Sequence, residues 1–206
     1  MKYLDKLKKE LKVNKKGIGF LIGISIIGFI FGCLFIIIIS KSDKILVKEY
    51  IESFFKNIND LNYLDIFKNT LFNNLLFICI IFLLGMSVIG IPINIFYFFL
   101  KSFVLGFTMV SFILTYKIKG CLFSLLYVVP HNLINIIMFT ILVYYSINFS
   151  ILLIYSITKR KSINFKNMIN KYLKVFLVAI ILVLITSLYE SFILPNIMNR
   201  LLFIIK

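Results

Sequence analysis

The chain has 206 residues, 61% of them hydrophobic and 15% charged, with a mean hydropathy of +1.03. Soluble domains average about 45–50% apolar and about 25% charged residues, so a water-soluble globular enzyme is excluded first. The 23 Lys+Arg against 8 Asp+Glu give a net charge of +15; between apolar runs, such an excess marks cytoplasmic span ends and contacts with membrane lipid rather than nucleic acid.

In chain order, residues 1–16 form a basic head with seven lysines, expected in the cytoplasm. Gly17 to Ile39 follows without a charge, long enough for a crossing at 1.5 Å per residue. Its apolar stretch is longer than a signal peptide's and shows no small-residue cleavage site, so it reads as a retained anchor. The loop 40–70 is expected outside the cell. Within it Leu46, Val47, Tyr50, Ile51, Phe54, Phe55 and Ile58 recur at helical spacing, with Lys48, Glu49, Glu52 and Lys56 between them. Such a helix either packs on its own bundle or on the leaflet, or offers its charged face as an external docking site.

Further spans run from Leu71 to Gly90, from Ile91 to Tyr116 (interrupted by Pro92 and Lys101), from Gly120 to Ile157 (broken at Pro130-His131), and from Leu173 to Leu194. The class is therefore all-α: a polytopic membrane helical bundle of about five transmembrane helices, with broken or re-entrant segments near Pro92 and Pro130 and an external amphipathic helix. It forms one integral membrane domain, residues 1–206. The connector 158–174 holds six basic residues and no acid, which places it with the head in the cytoplasm and the tail 195–206 outside. Lys117 and Lys119 fall on the outer side, against that rule.

The parts for chemistry are sparse. Cys33, Cys79 and Cys121 each stand alone in an apolar run, which excludes a disulfide framework or a CxxC metal knuckle. One histidine excludes HExxH, and neither a Gly-x-Ser-x-Gly elbow nor a phosphate-binding Gly-rich loop is present. No catalytic residue, cofactor or metal ligand is assigned, and a non-enzymatic protein is expected. His131, beside Asn132 and Asn135, is an ionisable group inside a span and so a functional candidate. The competing reading has it neutral, capping a helix start exposed by Pro130. Lys101 is expected to snorkel to the inner face or to mark a helix break, and Glu190, the one acid in the spans, to reach the outer headgroups.

Helix association has a clearer signal. Gly19 with Gly23, and Gly28 with Gly32, are each four apart, and at about 100° per residue the two pairs lie on opposite faces of the first span. Each lets another backbone approach closely, one face within the bundle and one toward another chain, as in a homo-oligomer. Ser102 and Gly106 repeat the spacing in the third span.

The ordered series Asn73-Asn74, Gly85, Gly90-Ile91-Pro92, Lys101 to Thr108, Gly120 and Pro130-His131-Asn132-Leu133-Ile134-Asn135 resembles the stage II sporulation protein M family of multispanning bacterial membrane proteins. Two positions depart from the family pattern: Ser102 stands where Gly is common, and Asn135 where many members carry Glu. The resemblance implies a protein without chemistry of its own. It implies a non-enzymatic scaffold of the sporulation engulfment complex in the mother-cell or septal membrane. There it would anchor stage II sporulation proteins D and P, which remodel peptidoglycan. The alternative is a small-solute transporter or channel subunit using the broken helices around Pro92/Lys101 and Pro130/His131.

Overall fold

The computed structural model describes residues 15–56, 62–159 and 165–196; the basic head before Lys15, Ile58, residues 160–164 of the 158–174 connector and the tail beyond Asn196 lie outside this description. Among the described residues every element is helical. They are α1 (Lys15–Ile38), α2 (Lys41–Lys56), α3 (Tyr63–Gly85), α4 (Gly90–Phe123), α5 (Val129–Lys159) and α6 (Phe165–Leu188), with wide π turns at Ser124–Val128 and Tyr189–Ile193.

Four continuous helical stretches are long and apolar enough to cross a membrane: Lys15–Ile38, Tyr63–Gly85, Gly90–Thr158 and Lys166–Asn196. The third has 69 residues, about 100 Å of helix, far beyond a hydrocarbon core of about 30 Å. It folds back at Lys117, whose φ of 54° and ψ of −127° break the helix. There the Phe112 and Phe123 rings meet at 5.0 Å, and a side chain at Gly120 would strike the Phe112 carbonyl. Among the described residues the chain thus runs through the bundle five times.

One end gathers α2, the start of α3, the Lys117 turn and the end of the last pass, where Tyr63 stacks on Phe192 at 6.2 Å. Ser40 starts α2 by accepting the Asp43 N–H (3.2 Å) and donating to its carboxylate (2.7 Å). The Lys44 ammonium donates to the Ile37 carbonyl at 2.6 Å, closing α1. Ile51 on the apolar face of α2 is buried with Phe112, Phe123 and Val128. Asn62 caps α3 through the Leu64 N–H, so α3 begins well before the expected Leu71 and part of the expected loop 40–70 belongs to this helix. The cap and Asp65 in the first turn favour the earlier start despite the polar residues there.

The breaks do not fall on the prolines themselves. Between α3 and α4 the turn is Met86–Ile89, and Pro92 sits in the first turn of α4, where a missing N–H leaves no intrahelical bond unmade. Before Pro130 the helix widens into the Ser124–Val128 π turn, closed by the Val129 N–H on the Ser124 carbonyl, and continues. The expected helix start at Pro130 is therefore not there; the reversal is at Lys117.

The main core packs α3, α4, α5 and α6 through Phe77, Ile81, Phe98, Phe139, Leu142 and Val183. α1 joins at a close seam with α4. A methyl at Gly28 would lie 2.7 Å from the Phe99 carbonyl oxygen, and methyls at Gly32 and Gly106 would run into the Phe103 and Phe29 carbonyls. Ser25 and Ser102 hydroxyls pair across it at 2.8 Å. Outward residues such as Phe20, Ile26, Ile30 and Phe31 are exposed, as a lipid-facing helix side requires.

Candidate functional site: a polar cavity inside the bundle

Against this apolar frame, one cavity of about 270 Å³ is lined almost wholly by polar side chains. Thr70, Asn73 and Asn74 come from α3, Lys101 and Thr108 from α4, Tyr127 and Val128 from the first π turn, His131, Asn132 and Asn135 from α5, and Glu190 from the second π turn. Lys101 lies eleven residues into α4, about 16 Å from its start and about 24 Å from the Lys117 turn. The cavity is therefore well inside the pass.

Periodicity puts the groups there. Thr70, Asn73 and Asn74, like Tyr127, His131 and Asn135, are three or four residues apart and share a helix face. Lys101 Nζ donates to Asn74 Oδ1 at 3.3 Å and lies 5.4 and 5.7 Å from the centres of the Phe77 and Phe139 rings, a cation–π arrangement. His131 Nε2 is 2.9 Å from Asn132 Nδ2 and 3.8 Å from Glu190 Oε2. Asn135 Oδ1 accepts from the Thr186 hydroxyl at 2.9 Å.

Three expectations are corrected here. Lys101 neither snorkels to the inner face nor breaks α4: its ammonium is held by an amide and two rings. Glu190 does not reach the headgroups, because its side chain turns inward, 21% exposed, onto His131. His131 is buried within a continuing helix rather than capping a start, and it has an acidic neighbour after all. That carboxylate comes from another helix. Thr186 and Glu190, four apart on one face of an apolar span, were the available signal; their partner across the interface was not.

The remaining sequence candidates divide clearly. Gly28, Gly32, Ser102 and Gly106 form the α1–α4 seam, whereas added side chains at Gly19 and Gly23 would meet nothing within 4 Å. Gly85 and Gly90 lie at a second polar knot, where a side chain would strike the Tyr172 hydroxyl and the Leu84 carbonyl respectively. There the exposed end of α3 is satisfied from outside. Tyr172 donates to the Ile81 and Phe82 carbonyls (3.2 and 3.1 Å), Ser150 to that of Gly85 (2.8 Å), and Asn94 to that of Ile81 (3.2 Å). These bonds cap a helix terminus. On α2, Lys48 and Glu52 pair at 3.7 Å with Glu49 exposed beside them; the side chain of Lys56 lies outside the description.

Among the described residues no group of three His, Cys, Asp or Glu could hold a metal ion. What the cavity offers is charge of both signs, an imidazole and several amides in an apolar bundle. Buried ionisable groups of this kind mark binding or transfer in membrane proteins.

Fold and site define an all-helical integral membrane protein with a polar internal cavity. The chain matches the stage II sporulation protein M family over residues 21–195, from the first pass to the last, and belongs to that family. No curated protein and no solved structure matches it.

Proposed function

We propose that the chain is a non-enzymatic membrane scaffold of the sporulation engulfment complex, anchoring peptidoglycan-degrading enzymes outside the membrane. Stage II sporulation proteins D and P are the partners this reading names. The head and the 158–174 connector face the cytoplasm, and α2 and the tail face outward. The observation that carries the reading is α2 itself. Ile51 fixes one side of it to the bundle, while Lys48, Glu49, Tyr50 and Leu46 are left exposed at the bundle end. A helix anchored through Ile51, with a mixed charged and apolar outer face, suits protein docking better than membrane insertion.

The test is co-purification from sporulating cells. Reversing charge at Lys48 and Glu49 should remove the hydrolases from the complex while the membrane protein stays at its normal level. Complexes that survive the change would take α2 out of the account. Bulky residues at Gly28 and Gly32 make no such test, since they would disrupt the internal seam first.

The polar cavity favours a second reading, passage of a small solute. Flux into liposomes that is lost on His131→Ala would support it, and purified protein that moves no solute would end it.

A further inference from the structure

Lys101 and Glu190 face one cavity yet do not pair with each other. The hydrogen bond of Lys101 goes to Asn74, while Glu190 accepts from the Thr70 hydroxyl and lies 3.8 Å from His131. In an apolar bundle two opposite charges should close onto one another, because separation leaves each poorly solvated. Here no ion pair closes between them: the ammonium is held by an amide and two rings, the carboxylate by the Thr70 hydroxyl.

The second observation is backbone. Both π turns among the described residues belong to this wall: Ser124–Val128 carries Tyr127 and Val128, and Tyr189–Ile193 carries Glu190. Single π turns inside α-helices concentrate at functional sites because they redirect a side chain at the cost of regular hydrogen bonding. Size narrows the occupant. About 270 Å³ lies just under the range of about 300–1,000 Å³ typical for drug-sized ligands, room for a small molecule.

Charge narrows it further. A simple anion drawn to Lys101 would meet Glu190, and a simple cation drawn to Glu190 would meet Lys101. Only a molecule with both charges is matched at both ends, with the Asn73 amide beside it. We propose that the cavity is a binding site for a small zwitterion of amino-acid size, its carboxylate taken by Lys101 and its ammonium by Glu190. The site shares its location with the solute-passage reading but requires no flux. A protein that binds without transporting ends that reading and leaves this one standing.

The experiment is equilibrium binding of labelled glycine to the full chain in phosphatidylcholine nanodiscs, with acetate and methylammonium as single-charge probes. Saturable glycine binding is expected, with both single-charge probes at least tenfold weaker. Lys101→Gln and Glu190→Gln should each weaken glycine at least tenfold, and Glu190→Asp, which keeps the charge, should weaken it less. Helix content and elution volume report folding, and should Lys101→Gln fail to fold, the Gln and Asp variants of Glu190 carry the comparison. The proposal is overturned by glycine that does not saturate at millimolar concentration, by acetate or methylammonium binding as tightly as glycine, or by glycine affinity indifferent to Glu190.

Discussion

The α1–α4 seam and the polar cavity meet the same physical problem in opposite ways. Between helices in lipid there is little hydrophobic drive, since acyl chains are as apolar as leucine. The seam answers by removing side chains: Gly28, Gly32 and Gly106 let two backbones touch, and a Cys33 thiol donates to the Gly106 carbonyl at 3.6 Å. The cavity answers by adding polar side chains that find partners across α3, α4, α5 and the turn after α6. A seam of backbone on backbone has one arrangement. Amides, an ammonium and a carboxylate around a space can exchange partners.

The sharpest way to break the contrast is Gly32→Leu. Its side chain would run into the Phe103 carbonyl, and overpacking against an immovable backbone should cost about 3 kcal/mol or more. Stability in detergent, followed by denaturant titration, should fall so far that little folded protein remains. The same substitution at Gly19, which meets nothing, should leave stability unchanged.

In the cavity the expected signature is coupling rather than collapse. His131→Ala and Glu190→Gln should each destabilise, and the double variant should cost less than their sum, by about 0.5–2 kcal/mol in a double-mutant cycle. Strict additivity would mean that the 3.8 Å approach carries no energy.

The second polar knot tests whether polar groups can be purely structural. Tyr172→Phe removes the donor to the Ile81 and Phe82 carbonyls and should cost about 1 kcal/mol, with glycine binding unaffected. At the hairpin, Lys117→Gly should instead stabilise by about 1 kcal/mol, because a positive φ of 54° with extended ψ suits glycine and strains any side chain. The smallest effect belongs to the exposed pair on α2. Lys48→Ala breaks a 3.7 Å contact between half-exposed groups and should shift stability by no more than about 0.5 kcal/mol.

The sequence by itself determined the membrane class, the sequence of apolar passes and the amphipathic α2, because each depends on composition or on spacing within one helix; of the two small-residue faces of α1, packing selected Gly28 and Gly32. It also carried the family, through an ordered series spread over the whole chain. Lys101, His131 and Glu190 were visible as ionisable residues in apolar runs, but their destinations were not. A residue's cost in lipid is set by what stands opposite it, and Asn74, Phe77 and Phe139 opposite Lys101 come from two other helices. Likewise, whether Pro130 breaks a helix depends on whether the backbone can widen before it, as it does at Ser124–Val128. Tertiary structure alone decided that Glu190 turns inward to His131 rather than outward to the headgroups, since only the packing of α5 against the last pass supplies a partner better than water.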